Sequence, residues 1–388
     1  MAPPFPHAEH KRRLALVQGE MARLDVDLLL VDGVEAMLWL TGFGVSQTMW
    51  RCCAVPRSGL PFLFVRALDA APARERTCFP DVASFLDWED EVAALAAAVR
   101  ERSWPVQSWA LDFDSHSTTL RRFERLRRAF APAEVRDFGE ALPDLRLPKS
   151  SEEAGCLRAA AAVAEGAMAR AVAAVRLGGT ERDCYAAAAQ AFIELGADDG
   201  WVGPVTAGRG WNFLHGHLHG EPLAEGDIVH VEVIPKVRSY TARLMRSVVV
   251  GEPSARQREV MAALLRLQDR QIAAMSPGAE AAVVDAVLRE GVLAEGLRTD
   301  FPNITGYTLG IYAAHSQRAS DFTRTFSPAS RWRLEPGTAF HMYVSAQGLA
   351  VSESVLVTDE GPELLTRFPR RLFTTAEAGA AAKQAGEA

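Results

Sequence analysis

Three histidines at two-residue spacing, His215, His217 and His219, precede a Gly226–Asp227 turn and two alternating runs that carry Glu232 and Arg243. An imidazole titrates near neutrality and can give a proton to a nitrogen leaving group or take one from water. A carboxylate can orient water, act as a base or attack carbon itself. A guanidinium stays charged and only donates. The alternation is the period of half-buried strands. It puts Ile228, His230, Glu232 and Ile234 on one face of the first run and Val229, Val231 and Val233 on the other. In the second run Thr241, Arg243, Met245 and Ser247 share a face. A hairpin centred between Val237 and Arg238 sets Glu232 directly across from Arg243, an opposite-charge pair in a sheet otherwise built of Val, Ile and Leu. Such a pair either does chemistry or serves as a structural register mark. The HxHxH run can bind zinc or iron if it is a strand. No carboxylate or cysteine at useful spacing completes a ligand set, and Gly216 and Gly220 suggest a loop, so a position on the rim is expected.

These residues need a framework, and 388 residues suffice for two domains. Apolar residues make up 48% and charged residues 23%, as in ordinary globular chains, and the net charge of -7 is spread along the sequence. No one-sided basic footprint marks a nucleic-acid partner. No apolar run has the length of a membrane span, and the N-terminal stretch lacks the apolar core of a secretory signal. The five cysteines, Cys52, Cys53, Cys78, Cys156 and Cys184, have no CxxC spacing and read as reduced thiols of a cytoplasmic protein.

Along the chain, a helix over 10–24 is followed by a strand at 27–31, two strands around Pro56–Gly59, a helix over 91–102, the strand SWALDF and a basic helix over 117–130. That order implies an α/β domain with a mixed sheet over residues 1–147. Pro143 and Pro148 mark the boundary. Ser150 and Glu153 then form a capping box that opens a long Ala-rich helix, and Thr180 caps a second helix ending at Gly196. The hairpin region follows, then helices over 254–274 and 279–295 and a Gly-punctuated strand region to 365. Two helix pairs, each followed by strands, permit a pseudo-symmetric second domain over 148–375. Residues 376–388 read as a flexible tail.

The segments LPKSSEE, GRGWNFLHG, LAEGDIVHVEVIPKVRSYTARLMRSVVVGEP, GYTLGIYAAH, LEPGTAFHMYV and SESVLVTDEG, in this order, resemble the creatinase, prolidase and aminopeptidase P superfamily. The LWLTGF segment is similar to part of the smaller N-terminal domain of those enzymes. The resemblance implies an α+β architecture in which pseudo-symmetric helices pack on a curved antiparallel sheet, the pita-bread fold, behind a small mixed α/β domain. Its metal-dependent members hold two divalent ions with two Asp, one His and two Glu. At the matching positions this chain has Glu232, Arg243, Tyr307, Tyr343 and Ser352. A permanent cation amid that set opposes divalent metal binding. The resemblance therefore implies a metal-free, cofactor-free site of the creatinase-like branch.

Within that branch, His215 stands at the interval before Gly226–Asp227 that the catalytic histidine of creatinase keeps. Arg51, nine residues after Gly42, matches an arginine that reaches the neighbouring subunit's site, which implies a homodimer. Arg318 matches a second substrate-binding arginine, with His315 near the pocket histidine. The glutamates that hold creatine's guanidinium fall at Met245 and Tyr343, so creatine is not the expected substrate. The expectation is hydrolysis of a C–N bond in a small carboxylate-bearing nitrogenous metabolite, with His215 and Glu232 catalytic. Arg51, Arg243, Tyr307, His315, Arg318 and Tyr343 are expected to bind the substrate. A lyase or isomerase using the same base, or a non-catalytic binding protein, is the alternative. His341 and Glu353 neighbour former ligand positions and are expected to point away from the site.

Overall fold

The computed structural model describes residues 5–44, 49–208, 214–313 and 323–375. The chain divides into two compact units, the first comprising the residues to Arg146 together with residues 311–313, and the second comprising residues 147–310 and the described residues from 323 on.

The first unit is built on α1 (His7–Arg23), β1 (Leu28–Val31), α2 (Val34–Thr41), β2 (Cys52–Pro56), β3 (Phe62–Arg66) and α3 (Ala70–Arg76). It continues through β4 (Val82–Phe85), α4 (Glu91–Glu101), β5 (Ser108–Leu111), α5 (Leu120–Ala129), β6 (Glu134–Asp137) and α6 (Ala141–Leu145). The six strands form one sheet in the order β4-β3-β2-β1-β5-β6. It is mixed, because β1 pairs antiparallel with β2 and parallel with β5. One core joins Leu28, Phe62, Phe64 and Trp109 of the sheet to Val92 and Leu95 of α4 and Leu126 of α5. The cysteines are free thiols, and burial pushes Cys52 and Cys53 far above the usual thiol range.

The second unit repeats a plan of two helices followed by strands. Its first half holds α7 (Ser151–Ala174), α8 (Glu181–Glu194), β7 (Val205–Gly208), β8 (Ile228–Val233), β9 (Lys236–Val237), β10 (Tyr240–Thr241) and β11 (Leu244–Val249). The other half holds α9 (Ala255–Ala273), α10 (Ala281–Ala294), β12 (Gly306–Thr308), β13 (Thr325–Phe326), β14 (Ala339–Ala346), β15 (Leu349–Thr358) and β16 (Gly361–Leu364), with β17 (Phe373–Thr374) last. Capping boxes start α7, α8 and α9 at Ser150, Thr180 and Ser254. Val229, Val231 and Val233 of β8 and Leu244 and Val248 of β11 pack on α7 and α8. Phe340 and Met342 of β14 pack with Ile272 of α9 and Val284 of α10.

Two larger sheets result, β17-β11-β8-β7 and β13-β12-β14-β15-β16, beside the two-stranded pair β10-β9. Serine hydroxyls of β15 join them. Met245 N–H donates to Ser352 Oγ at 2.8 Å, and Arg243 N–H donates to Ser354 Oγ at 2.8 Å. Ser247 of β11 returns the pattern, accepting from Ala350 N–H at 2.9 Å. These hydroxyls satisfy buried backbone groups where the ladder does not close. The pseudo-symmetric antiparallel domain expected from the sequence is therefore present.

The hairpin register differs from the sequence expectation. Val237 pairs with Tyr240, so the loop is Arg238–Ser239, and Glu232 stands opposite Met245 rather than Arg243. Both loop residues have positive φ, 51° and 68°, the backbone of a type I′ turn. Neither is Gly or Asn, so no strong turn signal marks the position. Asp198 compensates, accepting from Arg238 N–H at 2.9 Å and Ser239 N–H at 2.5 Å. The partner of Glu232 moves by two residues, which preserves the face: Arg243 stays on the side of Glu232, one diagonal step away.

Candidate active site

The reactive side chains lie on the face of β8 opposite Val229, Val231 and Val233 and on the face of β14 opposite Phe340 and Met342. β8 supplies His230 and Glu232, the end of the hairpin supplies Arg243, β12 supplies Tyr307, and β14 supplies His341 and Tyr343. Tyr307 pairs directly with His341 across β12 and β14, and His341 with Ser354 across β15. Glycine permits two of these approaches. A Cβ at Gly203 would lie 2.8 Å from the Glu232 carbonyl oxygen, and one at Gly306 would meet the Met342 sulfur at 2.5 Å.

Arg243 Nη1 is 3.5 Å from Glu232 Oε1 and donates to the Tyr307 hydroxyl at 2.8 Å. The same hydroxyl is 2.8 Å from His341 Nδ1. The rings of Tyr307, His341 and Tyr343 form a packed triad, with His341 and Tyr343 stacked at 5.4 Å. Asn303 Nδ2 donates to the Tyr343 hydroxyl at 3.4 Å, and Arg298 Nη1 in turn donates to Asn303 Oδ1 at 2.9 Å. Arg289, paired with Asp285 on α10, donates to the Asn303 carbonyl and anchors that loop.

Burial sets the protonation states. It raises Glu232 above the usual carboxylate range, while the charges of Arg243 and His215 pull the other way. Burial lowers His230 to about 3, and the neighbouring His215 adds to this. His341 is pushed well below the usual imidazole range by burial, with Arg243 and His230 contributing. Burial raises Tyr343. Both buried imidazoles are therefore neutral at physiological pH. Glu232 Oε1, His230 Nδ1, His341 Nε2 and Thr206 Oγ1 are buried and have no hydrogen-bond partner. Buried polar atoms are nearly always paired. These atoms lie on one face or, as Thr206 and His230 do, pair across neighbouring strands, and each has capacity for a hydrogen bond.

The structure thus brings together Glu232, Arg243, Tyr307 and Tyr343 from the sequence-based set, and His215 lies within electrostatic reach of Glu232 and His230. His215 itself is exposed on a turn. His217 and His219 are exposed too. His219 sits beside Glu181, Glu221 and Asp227 along a shallow groove of about 350 Å³. Arg51 is buried in the first unit, donating to the Gly44 carbonyl at 3.0 Å and to Ser117 Oγ at 3.2 Å. His315 and Arg318 lie outside the described residues.

The reading of His341 needs correction. It is two residues from Tyr343, not adjacent, so it shares the face of Tyr343 and enters the site. His230 also enters it, and its alternation with Glu232 was the available signal. Glu353 does point away, to the helix-covered face, where it pairs with Arg246 at 2.7 Å.

A pair of divalent ions does not fit this donor set. It comprises one carboxylate, two phenols, a serine hydroxyl bound to Met245 N–H and a guanidinium. Among the described residues no group of three or more His, Cys, Asp or Glu side chains is placed to hold a metal ion.

Comparisons with known proteins agree on the ancestry of this arrangement. The pattern of metallopeptidase family M24 matches residues 155–359, and that of the creatinase/prolidase N-terminal domain matches residues 13–147. The chain is 25% identical to the ectoine hydrolase of Halomonas elongata over 400 aligned positions, covering 95% of this chain and 98% of the relative. It is 26% identical to the Xaa-Pro dipeptidase of Pyrococcus furiosus over 62% of this chain and 69% of that one. The prolidase from Pyrococcus horikoshii shares the fold with a TM-score of 0.80 at 18% identity, over 93% of this chain and all of that one, 100%. The X-Pro aminopeptidase from Thermotoga maritima shares it with a TM-score of 0.78 at 21% identity, over 92% and 99%. The chain belongs to metallopeptidase family M24, within the creatinase, prolidase and aminopeptidase P superfamily, and carries that superfamily's fold.

Proposed function

We propose that the protein is a metal-independent hydrolase of a C–N bond in a small, carboxylate-bearing nitrogenous compound. The observation that carries this reading is the joined set Glu232–Arg243–Tyr307–His341, which keeps unspent buried hydrogen-bond atoms at Glu232 Oε1 and His341 Nε2. The end-to-end similarity to an ectoine hydrolase supports the substrate class, since ectoine is a small carboxylated nitrogen heterocycle.

In this reading Glu232 orients a water and takes its proton as the oxygen adds to carbon. Burial makes Glu232 a stronger base than a solvated carboxylate. Arg243 and Tyr307 donate to the atom that gains negative charge. The C–N bond then breaks, its electron pair goes to nitrogen, and His215 delivers the proton that nitrogen needs. Tyr343 shapes the pocket. His315, Arg318 and, across a homodimer, Arg51 bind the substrate end that carries the carboxylate. Arg51 would exchange its Ser117 contact for that role.

The test is turnover of ectoine, Xaa-Pro dipeptides and creatine by purified protein in isotopically labelled water. Solvent oxygen in the ectoine product, with creatine untouched, is the expected result. An unlabelled elimination product would replace hydrolysis with a lyase reaction. Replacing His215 by Ala should cost about 10²–10⁴-fold in kcat with the fold intact, and near-normal turnover would remove His215 from its role.

A further inference from the structure

We infer that Glu181 is a positioning residue: its buried carboxylate ties His219 and the edge of β7 to the start of α8, and so fixes the segment that carries His215. This rests on the reading above, in which His215 delivers the proton that the leaving nitrogen needs.

His215 needs a hold from outside its own segment. Residues 214–220 belong to no helix or strand, and His215, His217 and His219 are all exposed on them. A general acid must stay within hydrogen-bond reach of the atom it protonates, and a misplacement of about 1 Å can cost about 100-fold in rate. Leu218 packs on the core shared by α7, α8 and β8. Further on, Leu223 joins the turn before α8, donating to the Gly179 carbonyl at 2.7 Å and accepting from Gly178 N–H at 2.9 Å. Between these anchors Glu181 takes the His219 N–H. Packing of Leu218 limits distance only, whereas a hydrogen bond also fixes direction.

Glu181 is the first residue of α8, where the helix dipole favours negative charge. Its side chain is buried, and its two oxygens serve two separate pieces of backbone. Oε1 accepts from Ala207 N–H at 2.5 Å, and Oε2 accepts from His219 N–H. The exposed His219 ring stands 3.6 Å from Oε2 as well. β7 lies at the edge of its sheet, where backbone donors need partners from outside the ladder. One carboxylate therefore joins that edge to the chain four residues beyond His215. The same β7 pairs Thr206 with His230, so the tie refers His215 to the face that holds His230 and Glu232, both within electrostatic reach of it. A glutamine could not do this, because its one oxygen serves one N–H while its own NH₂ confronts the other.

Glu181→Gln is the deciding variant. On ectoine it should lower kcat about 100-fold with KM within about twofold. The double variant Glu181→Gln, His215→Ala should be no slower than His215→Ala alone, because Glu181 acts through His215. Hydrogen exchange at the Ala207 or His219 amide should quicken by about tenfold or more, the weight of one charge-assisted hydrogen bond, while the central strands keep their protection. Ser254→Ala removes the cap of α9 in the same unit; it should lower Tm yet leave kcat within about twofold, which separates positioning from lost stability. Thermal melts verify that each variant folds. Should Glu181→Gln not fold, Glu181→Asp, which keeps the charge but is one methylene short, takes its place with the same outcomes. Normal turnover in Glu181→Gln beside a crippled His215→Ala, additive losses in the double variant, or unchanged exchange at both amides would overturn the inference alone. Normal turnover in His215→Ala would overturn the reading of His215, and the inference with it.

Discussion

Two buried arginine–glutamate pairs occupy opposite faces of the sheet region formed by β8, β11 and β15, and they are built differently. Arg246 and Glu353 are 2.7 Å apart and essentially inaccessible. The guanidinium also donates to the carbonyls of Met245, Ser352, Phe368 and Pro369. Glu353 accepts from Thr366 Oγ1 as well. Arg243 and Glu232, on the other face, are 3.5 Å apart, and Glu232 Oε1 has no hydrogen bond. A buried ion pair repays its desolvation only when its remaining donors and acceptors are satisfied. The Arg246–Glu353 pair meets that condition and holds the β11–β15 junction. The Glu232–Arg243 pair does not, and its deficit is what a ligand can fill.

The contrast breaks first at Glu353. Replacing Glu353 by Ala strands Arg246 in the core and should cost about 3–5 kcal/mol. In a domain of this size that is a fall in Tm on the order of 10 °C. Turnover of whatever folds should be little changed. A melt within about 2 °C of wild type would show that the two pairs are not different in kind.

The opposite pattern is expected at Glu232. Glu232→Gln keeps the shape and removes a charge that burial already disfavours, so stability should stay within about 1 kcal/mol. Turnover should fall by about 10²-fold or more. Equal damage to stability and to turnover would make this pair structural as well.

Protonation sharpens the comparison further. His230 is held near 3 in the folded protein, against 6.5 for the free group. Its neutral burial therefore contributes stability that is complete above 6.5 and is lost as pH falls, because only the unfolded chain then takes up the proton. Glu232, raised in the fold, has the reverse sign: its folded form gains at low pH and loses as pH rises through its folded value. Between pH 6 and 4 the histidine effect should set the slope, about 1.4 kcal/mol per pH unit for each such group. Urea melts of His230→Phe across that window should show a slope shallower by about one proton. An unchanged slope would mean that His230 is charged in the fold.

The smallest effect is expected at the turn that sets the register. Ser239→Gly relieves a positive φ and should stabilise by about 0.4–1 kcal/mol. A destabilised variant would contradict the type I′ turn, and with it the diagonal placement of Arg243.

Much of the fold is legible in the sequence because local chemistry and long-range packing agree there. Ser150 with Glu153 and Thr180 with Asp183 cap helices in the expected places, and the Val229, Val231 and Val233 alternation assigns the buried face of β8. The site was legible as a face but not as a register. Parity survives a two-residue shift, so Glu232 and Arg243 still meet, whereas their opposition did not survive a turn without Gly or Asn. His341 was missed by its distance from Tyr343, since a spacing of two, not one, keeps a side chain on the same face. The inward direction of His230 followed from alternation, but its lack of a partner depends on neighbours from β7 and β14 that only the tertiary structure brings near.

The proposed function requires that this chain's own residues do the chemistry without a metal pair. The most direct measurement is ectoine turnover by chelator-treated protein, with elemental analysis of the same sample, before and after addition of manganese or zinc. An unchanged rate, less than one equivalent of divalent metal per chain, and no stimulation on addition are the expected results. Loss of turnover on chelation, restored by a divalent ion bound through Glu232, would contradict the proposed function.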